Sequence, residues 1–162
     1  MVEIIRSFAG VAGVSLTVIC GDNDERVAQA RRAAAEEGVA AEIVGFERDM
    51  ARRMAEAHLL IGKPGGLTSS EALAAGRPMI LVGACPGQEM ANQSWLLDHG
   101  AALASSPALA GLTAASLRDE GALPALAQAA RSLGAPRAAA RVIDVALRLM
   151  DAPREAWMPL AA

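Results

Sequence analysis

The chain has 162 residues, two cysteines, no tyrosine and a formal net charge of −3. That length makes one ordinary domain with room for a core. The charge offers no basic face to nucleic acid, two cysteines make neither a disulfide framework nor a metal site, and no run of about 20 strongly apolar residues exists to span a bilayer.

Residues 2–9 read as a short helix ended by Gly10 and Gly13, and residues 14–20 as a strand rich in β-branched residues. The apolar stretch 7–21 has the look of a secretory signal. Glu3 and Arg6 leave it no positive start, however, and its glycines break it into a helix end and a strand. The turn 21–24 supplies a capping side chain to a helix over 24–37, closed by Gly38. A second strand is expected at 41–46, and Asp49 caps a short helix over 50–57. The third strand, 58–62, is continuously apolar, as a central parallel strand covered on both faces would be. A tight glycine turn leads into a helix over 68–75, ended by Gly76. A strand at 79–82, a turn at 85–89, a helix over 90–98 and a short strand at 101–103 complete the alternation. Cys20 and Cys85 end apolar runs and read as buried thiols in a reducing compartment. His58 and His99 lack the spacing of metal ligands.

Alternating strands and helices predict an α/β fold: a Rossmann-like parallel sheet with helices on both faces. Ligands in such sheets bind beyond the carboxyl ends of the strands. The loops that matter are therefore 45–49, 63–70 and 85–92. Beyond Ser105 the chain is an alanine-rich helical tail punctuated by Pro107, Pro124 and Pro136. Its clearest helix, 137–150, carries Val142, Val145, Ala146 and Leu149 on one stripe, expected to pack on the domain. Residues 1–150 thus form the domain and 151–162 a C-terminal tail.

Two constellations sit on the ligand-facing loops. In Lys63-Pro-Gly-Gly-Leu-Thr-Ser-Ser-Glu71, Pro64 stands where a Walker A loop needs a magnesium-binding Ser or Thr, so that motif is excluded. Gly65 and Gly66 bring backbone N–H groups to a helix start, where an anion is held well. Thr68 and Glu71 have capping-box spacing, which is structurally complete without any ligand. In Pro86-Gly-Gln-Glu-Met-Ala-Asn92, the Gln88, Glu89 and Asn92 side chains offer donors and acceptors of the kind sugar hydroxyls require. An ordinary helix N-terminus with Glu89 near the dipole reads the same way.

The run from Lys63 to Pro78, followed by Pro86-Gly-Gln-Glu89, Asn92 and Gly100-Ala-Ala102, resembles the nucleotide-binding half of lipid glycosyltransferases. That family comprises monogalactosyldiacylglycerol synthase and the processive diacylglycerol glucosyltransferases, related to MurG-type GlcNAc transferases. Cys20-Gly-Asp-Asn23 and Gly45-Phe46 with Asp49-Met50 match in the same order. His58 and Gly62 depart from it, standing where an acid and a Thr are common. The resemblance implies half of a GT-B fold binding a UDP-hexose for inverting, metal-independent transfer to a lipid acceptor such as diacylglycerol, with no cofactor. It implies that Glu71 meets the ribose, and that Gly65, Gly66, Leu67 and Thr68 hold the diphosphate. Gln88, Glu89 and Asn92 would read the hexose, Phe46 and Glu47 would sit by the uracil, and Gly21 and Asn23 would approach the donor. The general base, the acceptor domain and any contact with the cytoplasmic face of the membrane would come from an additional domain or a separate subunit. A non-catalytic nucleotide-sugar-binding module and a UDP-sugar epimerase-like protein are the alternatives.

Overall fold

Parallel βα units fill the first two thirds of the chain. In the computed structural model, which describes residues 1–151, the strands are β1 (Leu16–Ile19), β2 (Ala41–Val44), β3 (Leu60–Gly62), β4 (Met79–Leu81) and β5 (Ala102–Ala104). They alternate with the helices α1 (Val2–Arg6), α2 (Asp24–Glu36), α3 (Met50–Glu56), α4 (Gly66–Ala74) and α5 (Gln88–Asp98). A 3-10 turn, Pro107–Leu109, leads to α6 (Ala110–Asp119), α7 (Leu123–Leu133) and α8 (Ala138–Asp151). The tail expected at 151–162 lies, after its first residue, outside the described residues.

Every strand pairing is parallel, as the alternation requires. The hydrogen bonds form two ladders, β1–β2 and β3–β4–β5, where one sheet was expected. Apolar packing joins them: Leu16 of β1, Ile61 of β3 and Ile80 of β4 share one cluster. The expectation that the third strand is central also needs correction. Only β4 pairs on both edges and is buried throughout, whereas β3 pairs on one edge and is half-buried. An unbroken apolar run marks a covered strand without ranking it among its neighbours.

Alternation along β4 places the helices. Met79 and Leu81 face α4, α5 and α7 through Ala72, Leu96 and Ala130. Ile80 and Val82 face the opposite layer, packing with Phe8 and with Ala110, Ala114 and Leu117 of α6. A third cluster joins β1 to α1 and α2 through Ile5, Cys20, Ala30 and Ala33. Alanines at these contacts let helix and sheet approach closely, which explains how an aromatic-poor chain closes its core.

The stripe on α8 behaves differently from expectation. Val142, Val145 and Leu149 are exposed, as are Ile143, Leu147 and Met150, so the apolar face is not packed on the domain. Amphipathic spacing marks a face suited to burial; it does not say which surface supplies the burial. Among the described residues no helix is long and apolar enough to cross a membrane.

Candidate functional site

The carboxyl ends of β1, β2, β3 and β4 present the loops 20–23, 45–49, 63–66 and 82–88 along one edge. At the third of these, Pro64 is fully buried and fixes the chain just before α4. Gly65 is the N-cap, extended at φ −68° and ψ 146°, and no side chain caps the helix. The first helical bond runs from the Ser69 N–H to the Gly65 carbonyl at 2.9 Å. The N–H groups of Gly66, Leu67 and Thr68 therefore have no partner within the helix and carry the positive end of its dipole. The capping-box expectation is overturned, because α4 starts two residues before Thr68 and its N-cap is a glycine. Thr68 is exposed in the first turn, with its hydroxyl uncommitted among the described residues.

The tight-turn expectation fails as well. Neither Gly65 nor Gly66 has a positive φ. A Cβ on Gly65 would meet nothing within 4 Å, and one on Gly66 would meet only Gln88 Nε2, at an ordinary 3.5 Å. The fold does not require glycine at either position. Their effect is to leave backbone bare at the start of an uncapped helix.

The next loop leans on this one. Gly87, at φ 96° and ψ −129°, is the N-cap of α5, a conformation that does demand glycine. It delivers Gln88 beside Gly66, so residues of two loops meet at the α4 N-terminus. The Asn92 amide donates to the Pro64 carbonyl at 2.9 Å, tying α5 to the loop before α4. The Cys85 N–H donates to Glu89 Oε2 at 2.7 Å, and Lys63 lies 3.8 Å from the same carboxylate. That backbone N–H, helped by the Lys63 charge, holds the Glu89 carboxyl below its ordinary pKa. Lys63 also donates to Cys85 Sγ at 3.2 Å, which raises the lysine's own pKa. Cys85 is exposed rather than buried as expected, because it lies in the turn beyond β4; Cys20 is buried, and burial pushes its thiol up.

Glu71 is exposed on α4 and its carboxylate makes no hydrogen bond among the described residues. Leu67 is 81% exposed and Phe46 69%, both large for uncovered apolar side chains. Glu47 is the opposite: its Oε1 accepts the Asp49 N–H at 3.0 Å, and its Oε2 accepts from Arg53 Nε at 2.7 Å. These donors lower its pKa. Gly21, at φ 73°, extends the β1–β2 ladder by donating to the Gly45 carbonyl at 3.1 Å. Asn23 caps α2, accepting the Arg26 N–H at 2.9 Å. Of the expected site residues, the structure brings Gly66 and Gln88 together, gives Asn23, Glu47, Glu89 and Asn92 structural bonds, and leaves Phe46, Leu67, Thr68 and Glu71 open.

Sequence reading passed over Lys63 and Arg53 as site residues. Lys63 stood in the motif itself, a cation at the end of a strand. Arg53 is six residues from Glu47 and eleven from Glu42, spacings that no helical or strand period joins. A cavity of about 350 Å³ lies at the opposite edge, walled by Phe8, Val11, Val14, Leu16 and Val39 without a charged side chain. Among the described residues no cluster of three His, Cys, Asp or Glu side chains could hold a metal ion.

Residues 6–120 match the family model described as the glycosyltransferase family 28 C-terminal domain. The chain belongs to that family. This family 28 domain is 30% identical over 147 residues to a processive diacylglycerol β-glucosyltransferase of Bacillus cytotoxicus, covering 90% of the chain and 38% of that relative. It is 36% identical over 141 residues to the MurG-type N-acetylglucosamine transferase of Acidiphilium cryptum, covering 83% of the chain and 38% of the relative. It thus spans less than half the length of these relatives. Among solved structures, Acinetobacter baumannii MurG superposes with a TM-score of 0.69 at 25% identity, over 88% of the chain and 46% of MurG. Anabaena HepE in complex with UDP-glucose superposes at 0.63 and 18% identity, over 81% of the chain and 39% of HepE, a likeness of fold alone. The domain is a Rossmann-like half of a GT-B fold.

Proposed function

We propose that this family 28 domain is the donor-binding half of a UDP-sugar-dependent hexosyltransferase acting on a lipid acceptor such as diacylglycerol. The observation that carries the reading is the bare, uncapped start of α4: two glycines the fold does not need, three N–H groups without partners among the described residues, and Gln88 beside them. That is a site for an anion with a polar substituent. The relatives' names support a sugar nucleotide, since the solved HepE structures hold UDP and UDP-glucose. A lipid acceptor is supported by the diacylglycerol and undecaprenol named for the curated relatives.

In this reading the N–H groups of Gly66, Leu67 and Thr68, with the Thr68 hydroxyl, hold the diphosphate, and Glu71 accepts from the ribose hydroxyls. Gln88 reads the hexose, while Glu89 and Asn92, partly engaged in holding their own loops, add an oxygen each. The acceptor hydroxyl attacks the anomeric carbon from the face opposite UDP. As that bond forms, the bond to the β-phosphate oxygen breaks and its electron pair passes to UDP, where the α4 dipole stabilises the growing charge without a metal. A base supplied by an acceptor-binding domain or subunit takes the hydroxyl proton, and that partner also brings the domain to the membrane surface.

The test is calorimetry with UDP, UDP-glucose, UDP-galactose and UDP-GlcNAc on the wild-type chain and on Gly66→Ala. Alanine at a helical position is no worse than glycine for folding, so the variant should keep its melting temperature while a Cβ in the diphosphate seat removes most UDP affinity. A wild-type chain that binds none of the four, or a Gly66→Ala variant that binds as well as wild type, overturns the assignment.

A further inference from the structure

Phe46, Glu47 and Arg48 form no backbone–backbone hydrogen bond among the described residues, although they sit at the ligand-facing edge beyond β2. Such a loop would ordinarily sample many conformations. It is instead braced from the side. The Arg53 guanidinium on α3 forks onto Glu42 of β2, with Nη1 and Nη2 each 3.0 Å from a carboxylate oxygen, while Nε donates to Glu47 at 2.7 Å. Glu47 passes the constraint into the loop by accepting the Asp49 N–H. The Arg53 side chain is 24% exposed and that of Glu47 only 13%. A strand, a loop and a helix are thereby closed into one ring of charge-assisted bonds, the strong kind, in the planar geometry a lysine cannot reproduce. What the ring holds still is three peptide units with unpaired donors and acceptors beside an uncovered phenylalanine face. A flat ring with hydrogen-bonding edges fits that pairing: stacking on the side chain, edge recognition by the peptides.

We infer that Arg53 is a positioning residue for nucleobase recognition, fixing the 46–48 backbone so that the domain selects a pyrimidine nucleoside diphosphate over a purine one. The inference rests on the donor-site reading above and assigns it a source of base specificity. Arg53 touches no ligand itself; it acts through Glu47.

The test compares UDP, GDP and inorganic pyrophosphate by calorimetry on wild type, Arg53→Gln and Arg53→Lys. Arg53→Gln should weaken UDP by about tenfold, the scale of a lost charge-assisted bond. The preference for UDP over GDP should shrink with it, and pyrophosphate, which has no base, should bind as before. Arg53→Lys, keeping one donor toward Glu47, should recover part of the loss. If Arg53→Gln does not fold, Glu42→Gln, at an exposed strand position, should show a smaller loss of the same base-dependent kind. Unchanged UDP and GDP affinity in the folded variant overturns the inference, as does an equal loss for UDP and pyrophosphate, which would mark general damage. A wild-type chain that binds pyrophosphate but not UDP sinks the donor-site reading itself, and this inference with it.

Discussion

Glu71 is a carboxylate left exposed on α4 without a bond among the described residues, one helical turn past three unpartnered N–H groups. In the proposed reading this carboxylate accepts from the ribose hydroxyls of a nucleotide whose diphosphate sits at the helix start. Replacing it with alanine should weaken UDP by on the order of 1–3 kcal/mol, the worth of hydrogen bonds to a charged acceptor; calorimetry showing equal affinity would remove it from the site. Glu89 carries a pH signature. Its folded pKa is depressed, first by the Cys85 N–H and further by Lys63, so the bond that shapes the 85–89 turn is present above the unfolded value. It persists through the ordinary carboxylate range and is lost only as pH falls through the lowered folded pKa. A carboxyl-carbon NMR titration should find Glu89 titrating below the ordinary glutamate value, and a midpoint at or above that value would contradict the geometry. At this scale the sequence pointed to Gln88, which the structure brings beside Gly66 where two loops meet. It misled at Thr68, because Thr-x-x-Glu reads as a capping box wherever it falls, and only the extended ψ of Gly65 shows that the helix has already begun.

Elements differ in what they contribute to stability, and burial sorts them. Leu81 of β4 is fully buried among α4, α5 and α7, so Leu81→Ala should cost about 2–5 kcal/mol for the lost contacts and the cavity left behind. Val145 of α8 is exposed, so Val145→Ser should change stability by less than about 0.5 kcal/mol. Chemical denaturation of the two variants checks both, and a comparable loss at Val145 would mean that α8 packs on the domain after all. Gly111 is a sharper case. Its N–H donates to Ser7 Oγ at 2.9 Å, and a Cβ there would overlap the Ser7 carbonyl. The α6 helix therefore docks on the end of α1 only because residue 111 has no side chain. Periodicity revealed β4, α2 and the βα alternation, since those follow from local spacing. It could not reveal the split into two ladders, the Gly111 contact, or the uncovered face of α8, because each depends on which distant surface arrives.

As a whole molecule, the domain is a Rossmann-like half of a GT-B fold, one wall of a cleft in the proposed reading. The loops proposed to hold the donor lie on one edge, and a cavity of about 350 Å³ without a charged side chain lies at the opposite edge. Phe46, just beyond β2, and Leu67, in the first turn of α4, are both uncovered. A sugar transfer needs an acceptor hydroxyl, a base to deprotonate it and exclusion of water, which would otherwise take the sugar. The Glu89 and Glu47 carboxylates are held ionised by backbone N–H groups and cations, which makes them weak bases, and the proposed reading assigns Glu71 to the ribose. The chain also spans only 38% of the length of the transferases it is similar to. The expected outcome is that purified chain binds UDP yet releases no UDP from UDP-glucose, UDP-galactose or UDP-GlcNAc in the presence of diacylglycerol vesicles, and that transfer starts when an acceptor-binding domain is joined or added. Turnover by the chain alone would place the base within these residues and overturn the division of labour. Binding that never leads to transfer, with any acceptor-binding partner tried, would favour a nucleotide-sugar-binding module over half of an enzyme.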